Sequence, residues 1–334
     1  MKRAAVLSYT RRGAETADRI AEAIQDTHEV VRAEPKGAQK GIVEKLFCEM
    51  DALIFVGACG IAVRAIAPFV RSKESDPAVV VVDERGEHVI SLLSGHIGGA
   101  NALTRRIAAA IGAAAVITTA TDVNHRFAAD EWAAKHGVRI HSMDAAKRFA
   151  AAILERDLPV RCDFPVRGSL PGGLVSGDHG ACGLLISCAV ESPFEQTLRL
   201  VPKILHLGLG CRRGVSADGI EAAVSQALCS AHIDPMAIAS AASIDVKKDE
   251  EGLLEFCRRR AIPVQFYSAD ELMNAAGVFS PSEFVKRTVG VDNVCERAAM
   301  LDAGIGAALI LRKTCANGVT VAVAQEKWSA CFEE

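Results

Sequence analysis

The sequence predicts an α/β protein: two three-layer α/β/α domains with mixed, largely parallel sheets, joined by a smaller middle module. Three observations carry this. Apolar runs of strand length alternate with helix-period segments over residues 1–125. The same alternation restarts near residue 203. Glycine-rich turns follow strands at three places, where open α/β sheets offer room for a ligand. The boundaries drawn are 1–125, 126–202 and 203–334.

The elements follow in order. Ala4–Ser8 is a short apolar strand, and Ala17, Ile20, Ala21 and Ile24 recur at helical spacing. Ala52–Val56 is apolar at every position, as a strand buried on both faces requires. Ile61–Val70 has helical spacing until Pro68 disturbs it. Val79–Val82 is β-branched throughout. Asp83–Glu87 then turns, with Gly86 free to take positive φ, and His88–Leu93 returns as a hairpin partner. Gly98–Ile111 reads as a helix with Leu103, Ile107 and Ile111 on one face, and Ala114–Thr118 as a last strand.

The middle segment reads differently. Phe127–Lys135 and Ser142–Leu154 fit two helices. A Pro- and Gly-rich stretch, Pro159–Gly183, then ends in an apolar Leu184–Ala189, so a looser module is expected. Beyond it, Ile204–Leu209 is a strand and Ile220, Ala223, Val224 and Ala227 mark a helix. Ile238–Ile244 and Val264–Tyr267 are strands. Ser268-x-x-Glu271 and Ser280-Pro-Ser-Glu283 fit capping boxes, the second with Pro at the first helical position. Ala308–Leu311 and Val319–Val323 flank Asn317-Gly318, a hairpin turn.

Composition removes several function classes. The 334 residues are 50% hydrophobic and 24% charged, which suits a folded chain. Lys+Arg is 38 against Asp+Glu 41, a net charge of −3, so no global basic field is present to hold nucleic acid. Aromatics are 5%, which weakens base stacking further. The longest apolar stretch, Ala52–Val63, falls short of the roughly 20 residues of a membrane helix. The basic start precedes too short an apolar run for a signal peptide, so a cytoplasmic protein is expected. The 11 cysteines contain no CxxC pair and read mainly as small buried hydrophobes.

The densest chemical signal is Ser91-Leu-Leu-Ser-Gly-His-Ile-Gly-Gly-Ala-Asn101. Ser94, Gly95, Gly98 and Gly99 let a ligand approach unpaired N–H groups at a helix start, and His96 stands at that mouth as an acid or base near neutral pH. The plainer reading is tight helix–strand packing beside a loop histidine. Gly57-Ala-Cys-Gly60 offers a second turn directed to the same sheet edge, with Arg64 to clasp a carboxylate, or else an ordinary turn with a surface arginine. Gly208-Leu-Gly-Cys-Arg-Arg-Gly214 is the third turn. Gly210 and Cys211 sit at its bend, and Arg212 and Arg213 make it basic, which suits an anionic small molecule or a solvated structural turn. Lys247 can contact an acid while Glu250 orients it or starts the next helix. Cys59 and Cys211 lack a partner base nearby in sequence, and Asp178-His179 reads as a surface pair.

Taken together, Gly57–Pro68, Asp76–Asp83 and Leu93–Asn101 resemble the amino-terminal domain of the CbiG family, the cobalt-precorrin-5A hydrolases of anaerobic cobalamin (vitamin B12) biosynthesis. Gly208–Gly214, Ala242–Glu250 and Val291–Ala299 resemble its carboxy-terminal domain, which CobE shares. The resemblance spans nearly the whole chain in order, with the middle module matched by position more than by motif.

It implies a reaction. The substrate is a cobalt-bearing, ring-contracted tetrapyrrole whose ring-A acetate forms a δ-lactone. The lactone is opened, the two-carbon C20 fragment leaves as acetaldehyde, and cobalt-precorrin-5B results. Cobalt belongs to the substrate, so no cofactor and no protein metal site is expected. A polycarboxylate of this size suits a cleft between two domains. On this reading His96, Asn101 and Glu250 are the catalytic candidates. Gly57, Gly60, Arg64, Ser94, Gly95, Gly98, Gly99, Gly208, Gly210, Cys211, Arg212, Arg213 and Lys247 are the substrate contacts. The resemblance is compatible with a homodimer and with hand-over to other enzymes of the pathway; nucleic acid and membrane are not expected partners. Two other classes stay open: a non-catalytic tetrapyrrole carrier, and a phosphate- or nucleotide-binding α/β enzyme. The latter lacks GxGxxG and Walker spacing.

Overall fold

The computed structural model describes residues 1–34, 40–72 and 75–333. The chain packs as two units: residues 1–135 with 153–155, and residues 136–152 with 156–334.

The first unit contains β1 (Lys2–Ser8), α1 (Arg11–Ile24), β2 (His28–Ala33), α2 (Lys40–Glu49), β3 (Ala52–Val56) and α3 (Cys59–Ile66). It continues with β4 (Ala78–Val82), β5 (His88–Leu93), α4 (Ala100–Ile111), β6 (Ala114–Val116), α5 (Ala120–Val123) and α6 (Ala129–His136). One six-stranded sheet has the order β2-β1-β3-β4-β5-β6. Strands β2, β1, β3 and β4 are parallel; β5 runs antiparallel to β4, and β6 parallel to β5. The period of two explains why β3 is apolar throughout. Ala52, Ile54 and Val56 pack with residues of α1 and α4, while Leu53 and Phe55 pack with α2 and α3. Three layers result. Leu103, Ile107 and Ile111 form the buried stripe of α4. The Thr10 hydroxyl accepts the Gly13 N–H at 2.9 Å to start α1, and α3 stops at Ile66, two residues before Pro68. In the β4–β5 turn the Asp83 carboxylate accepts the N–H groups of Arg85 and Glu87, each at 2.9 Å.

The second unit begins with β7 (Arg139–Ile140), α7 (Met143–Glu155), β8 (Leu158–Cys162), β9 (Val166–Arg167), β10 (Leu174–Ser176), β11 (Cys182–Ile186) and β12 (Gln196–Val201). These supply a five-stranded sheet, β10-β8-β11-β12-β7, parallel except at β7. The Pro- and Gly-rich stretch expected to be loose therefore carries paired strands. Their partners are distant in sequence, so the local pattern did not display them. Arg199 of β12 is held by the carboxylate of Asp234, both nearly buried. His141 Nδ1 lies 3.4 Å from the same carboxylate.

Then come β13 (Leu205–Cys211), α8 (Ala217–Ser230), β14 (Ile238–Ile244), α9 (Glu251–Arg260), β15 (Val264–Tyr267), α10 (Ala269–Met273) and α11 (Glu283–Val289). The chain ends with α12 (Cys295–Ala303), β16 (Ala308–Ala316), β17 (Val319–Gln325) and β18 (Ala330–Cys331), the last paired with β9. The sheet β15-β14-β13-β17-β16 is parallel across β13, β14 and β15, and antiparallel at β17 and β16. Helix α12 lies so close to β13 that a Cβ on Gly208 would fall 1.7 Å from the Cys295 carbonyl oxygen. Asn317 and Gly318 both take positive φ, 50° and 80°, as a two-residue type I′ hairpin needs. The Ser268–Glu271 capping box is formed. The second expected box is not. Helix α11 starts later, capped by Ser282, because Ser280 is drawn to Glu296: its N–H at 2.8 Å and its hydroxyl at 3.0 Å both donate to that carboxylate.

Candidate active site

The loop after β5 centres on His96. Its Nε2 lies 3.0 Å from Asp122 and its Nδ1 3.1 Å from Asp130. Thr121 Oγ1 is 3.3 Å from Nε2. Arg105 completes the cluster by pairing with Asp122 and, at 3.3 Å, with Glu131. The imidazole side chain is 14% exposed. Burial alone would lower its pKa, but the carboxylate of Asp130, then Asp122 and the charge of Glu131, outweigh it and raise the value to about 9. His96 is therefore an imidazolium at neutral pH, with both N–H groups directed at carboxylates. Burial pushes Asp122 upward, yet His96, Thr119 and Arg105 hold its carboxyl below the usual range. Ligand atoms of His96, Asp122 and Glu131 also lie within 4.8 Å of one another, close enough to share a cation. The proton on His96 and the Arg105 guanidinium already bring positive charge to these carboxylates.

Two expectations for this loop are corrected. Of the N–H groups at the start of α4, those of Gly99, Ala100 and Asn101 are already taken, donating to the carbonyls of His96, Ser94 and Gly95 at 2.9, 3.1 and 2.9 Å, while Gly98, Gly99 and Ala102 line a pocket together with Lys2, His28 and Arg106. Asn101 is not positioned to touch a substrate. It is 1% exposed, its Oδ1 accepts from Ser91 at 2.7 Å, and its Nδ2 donates to Thr119 at 2.8 Å and Asp122 at 3.1 Å. It orients Asp122. The glycines serve the same folding: a Cβ on Gly95 would meet Asn101 Oδ1 at 2.7 Å, and one on Gly98 would meet the Ser94 Cβ at 2.5 Å. Ser94 itself holds φ 57° to make the bend.

Gly57, Gly60 and Arg64 do not join His96 at one sheet edge. Because β5 is reversed, its carboxyl end lies with the amino ends of β1, β3 and β4, where Leu93 pairs with Val79. Gly57 follows the other end of β3, where Val56 pairs with Val82, and its N–H donates to the Val82 carbonyl at 2.8 Å. Arg64 is exposed, its Nη1 lying 3.3 Å from where a Gly60 Cβ would stand.

In the second unit, Gly208, Gly210 and Cys211 belong to β13 rather than to a turn, because β17 pairs with the strand as far as Cys211. Gly208 admits α12, and a Cβ on Gly210 would meet Thr320 Oγ1 at 2.5 Å, so both are packing glycines. Burial pushes the Cys211 thiol up, away from nucleophilic use. The turn itself is Arg212–Gly214. The Arg212 N–H donates to Gly318 at 2.9 Å, while both arginine side chains are exposed. Glu250 is committed: it accepts from Lys247 Nζ at 2.9 Å and the Gly214 N–H at 3.1 Å, and Lys247 foremost holds its carboxyl below the usual range. It orients Lys247 and stands at the start of α9, which leaves it a poor proton carrier. His179, 90% exposed beside Asp178, is a surface pair.

Two family profiles match this chain. One, described as Cobalamin synthesis G N-terminal, covers residues 41–122, and one described as Cobalamin synthesis G C-terminus covers residues 205–324. The chain is 38% identical over 282 residues to the cobalt-precorrin-5A hydrolase of Salmonella typhimurium, covering 79% of this chain and 80% of that one. It is 34% identical over 308 residues to the cobalt-precorrin-5A hydrolase of Priestia megaterium, covering 86% and 82%. The chain belongs to the CbiG family. Its C-terminal region is also similar to protein CobE of a Sinorhizobium species, at 36% identity over 121 residues, which is 36% of this chain and 79% of that one.

The CbiG C-terminal segment holds a polar cluster that sequence reasoning missed. His206 Nδ1 lies 2.8 Å from Ser240 Oγ and 2.9 Å from Asp302. Ser240 and Tyr267 also donate to Asp302, the latter at 3.2 Å. Burial and then the Asp302 charge push the Tyr267 hydroxyl up to about 12. A serine nucleophile needs one imidazole nitrogen facing serine and the other facing aspartate. Here Ser240 and Asp302 share Nδ1, Nε2 lies 3.5 Å from Glu326, and the Ser240 hydroxyl donates to Asp302 rather than to the imidazole, so the cluster pins β13, β14 and β15 to α12. No local motif links residues 206, 240, 267 and 302, and no signal in the sequence could have found it.

Proposed function

We propose that this CbiG-family chain is a cobalt-precorrin-5A hydrolase. It opens the δ-lactone of an anionic cobalt tetrapyrrole and releases the C20 fragment as acetaldehyde, giving cobalt-precorrin-5B. One water enters for each acetaldehyde that leaves. The observation that carries this is the identity of 38% and 34% to two cobalt-precorrin-5A hydrolases across about four-fifths of each.

The His96 cluster supports a definite division of labour. Lactone hydrolysis needs a group to stabilise the oxyanion and protonate the leaving oxygen, and another to accept a proton from water. With its pKa raised to about 9, His96 is the cation and proton donor, not the base. The Asp130 carboxylate, 3.1 Å from Nδ1, is the proton acceptor in the same cluster. The N–H groups of Gly99, Ala100 and Asn101 are engaged, so oxyanion stabilisation is assigned to the imidazolium, one of whose N–H groups turns from its carboxylate to the substrate.

The test is anaerobic incubation of the purified chain with cobalt-precorrin-5A, reading acetaldehyde by a coupled alcohol dehydrogenase assay. Stoichiometric acetaldehyde supports the reading. Tight corrinoid binding without acetaldehyde would replace it by a carrier role.

A further inference from the structure

Arg105 on α4 reaches both helices that carry the acids of the His96 cluster. Its Nη2 pairs with Asp122 Oδ1 on α5, and its Nη1 lies 3.3 Å from Glu131 on α6. The other Asp122 oxygen faces His96: Oδ2 lies 3.0 Å from Nε2 and accepts from Asn101 Nδ2 at 3.1 Å. One carboxylate is thus divided between imidazole and guanidinium, which fixes its rotation. The Arg105 side chain is 49% exposed, against 11% for Asp122 and 14% for His96. The arginine therefore closes the cluster from its solvent side.

The balance of charge gives this contact a chemical consequence. The imidazolium has three carboxylates around it, Asp122 on α5 and Asp130 and Glu131 on α6. Each favours the protonated ring, and a ring that holds its proton too firmly is a weak acid. Arg105 is the cation paired with two of the three. We propose that Arg105 is a positioning residue for the hydrolysis: by fixing Asp122 and offsetting the charge of Asp122 and Glu131, it keeps the His96 proton transferable. It acts through these carboxylates and not on the substrate. Its link to catalysis rests on the hydrolase reading; its effect on His96 does not.

The experiment follows the His96 imidazole of the full chain by NMR, without substrate, from neutral pH to well above 9. Arg105→Gln keeps a long polar side chain and removes the charge. Its His96 midpoint should rise by about one pH unit. Arg105→Lys keeps the charge and should bring the midpoint back to within about 0.3 unit of wild type. With cobalt-precorrin-5A, Arg105→Gln should lower kcat about threefold or more, with KM within about twofold. The alkaline limb of its kcat profile should move up with the NMR midpoint, and lysine should restore both. Because the side chain is half exposed, neither substitution opens a cavity. An unmoved midpoint in Arg105→Gln overturns the proposal. So does a lysine variant that titrates like glutamine, or a kcat profile that stays in place while the midpoint shifts. Absence of acetaldehyde from the wild-type chain would instead sink the hydrolase reading, and the titration would still decide what Arg105 does to His96.

Discussion

His96 owes its charge to its neighbours, and the charge has two measurable consequences. Its raised pKa means the folded chain holds a proton that the unfolded chain releases near 6.5. That contribution to stability is complete below pH 6.5 and is lost as pH rises through about 9. The thermal midpoint of the wild-type chain should therefore fall between pH 7 and pH 10 more steeply than that of His96→Gln, measured by calorimetry in matched buffers. Parallel slopes would show that the imidazole does not hold the extra proton. Glutamine also removes the proton donor while keeping a hydrogen-bonding side chain. His96→Gln should lower acetaldehyde release by about 10²-fold or more; turnover within threefold of wild type would remove His96 from the chemistry. The residue type and position were legible in the Gly95–Gly99 loop. Its protonation state was not, because Asp122, Asp130 and Glu131 arrive from 26 or more residues further along the chain.

At the level of elements, close packing decides what each glycine does. Gly208→Ala should destabilise the chain by about 1–3 kcal/mol or prevent folding, since the new methyl meets the Cys295 backbone carbonyl. Gly60→Ala meets only the mobile end of Arg64 and should change stability by less than about 0.5 kcal/mol. Urea denaturation of both variants checks the contrast, and equal losses would contradict the packing account. Elements set by nearby residues were readable in advance: the Asn317-Gly318 turn, the Ser268 capping box and the Asp83 turn all close within a few positions. Those set by distant partners were not. Glu296 is fully buried on α12; it accepts the N–H of Lys313 at 2.8 Å as well as both donors of Ser280, and so overrides a sequence that fits a capping box. The placement of Gly57 and His96 failed for a related reason. Each turn follows a strand, but only three-dimensional pairing shows that one of those strands runs backwards.

For the molecule as a whole, stability also depends on buried charge being matched. In the second unit, Arg199 is buried with its Nε lacking a hydrogen-bond partner, so its charge rests on Asp234. Asp234→Ala would strand that charge and should cost about 3–5 kcal/mol. By calorimetry the loss should appear as a lowered unfolding midpoint. An unchanged profile would show that water replaces the aspartate. The α/β class was legible across the chain because strand-length apolar runs and helical stripes are local signals. The middle sheet was obscured because Pro159 and neighbouring glycines interrupt that pattern although Val175 and Pro159 pair in register.

The reversal of β5 also separates the first unit electrically. The five residues of β3 span about 17 Å, roughly twice the Debye length of about 8 Å at physiological ionic strength. Charges introduced beside Arg64 should hardly be felt by the imidazolium across the strands. The two rims can thus be retuned by mutation almost as if they belonged to different molecules.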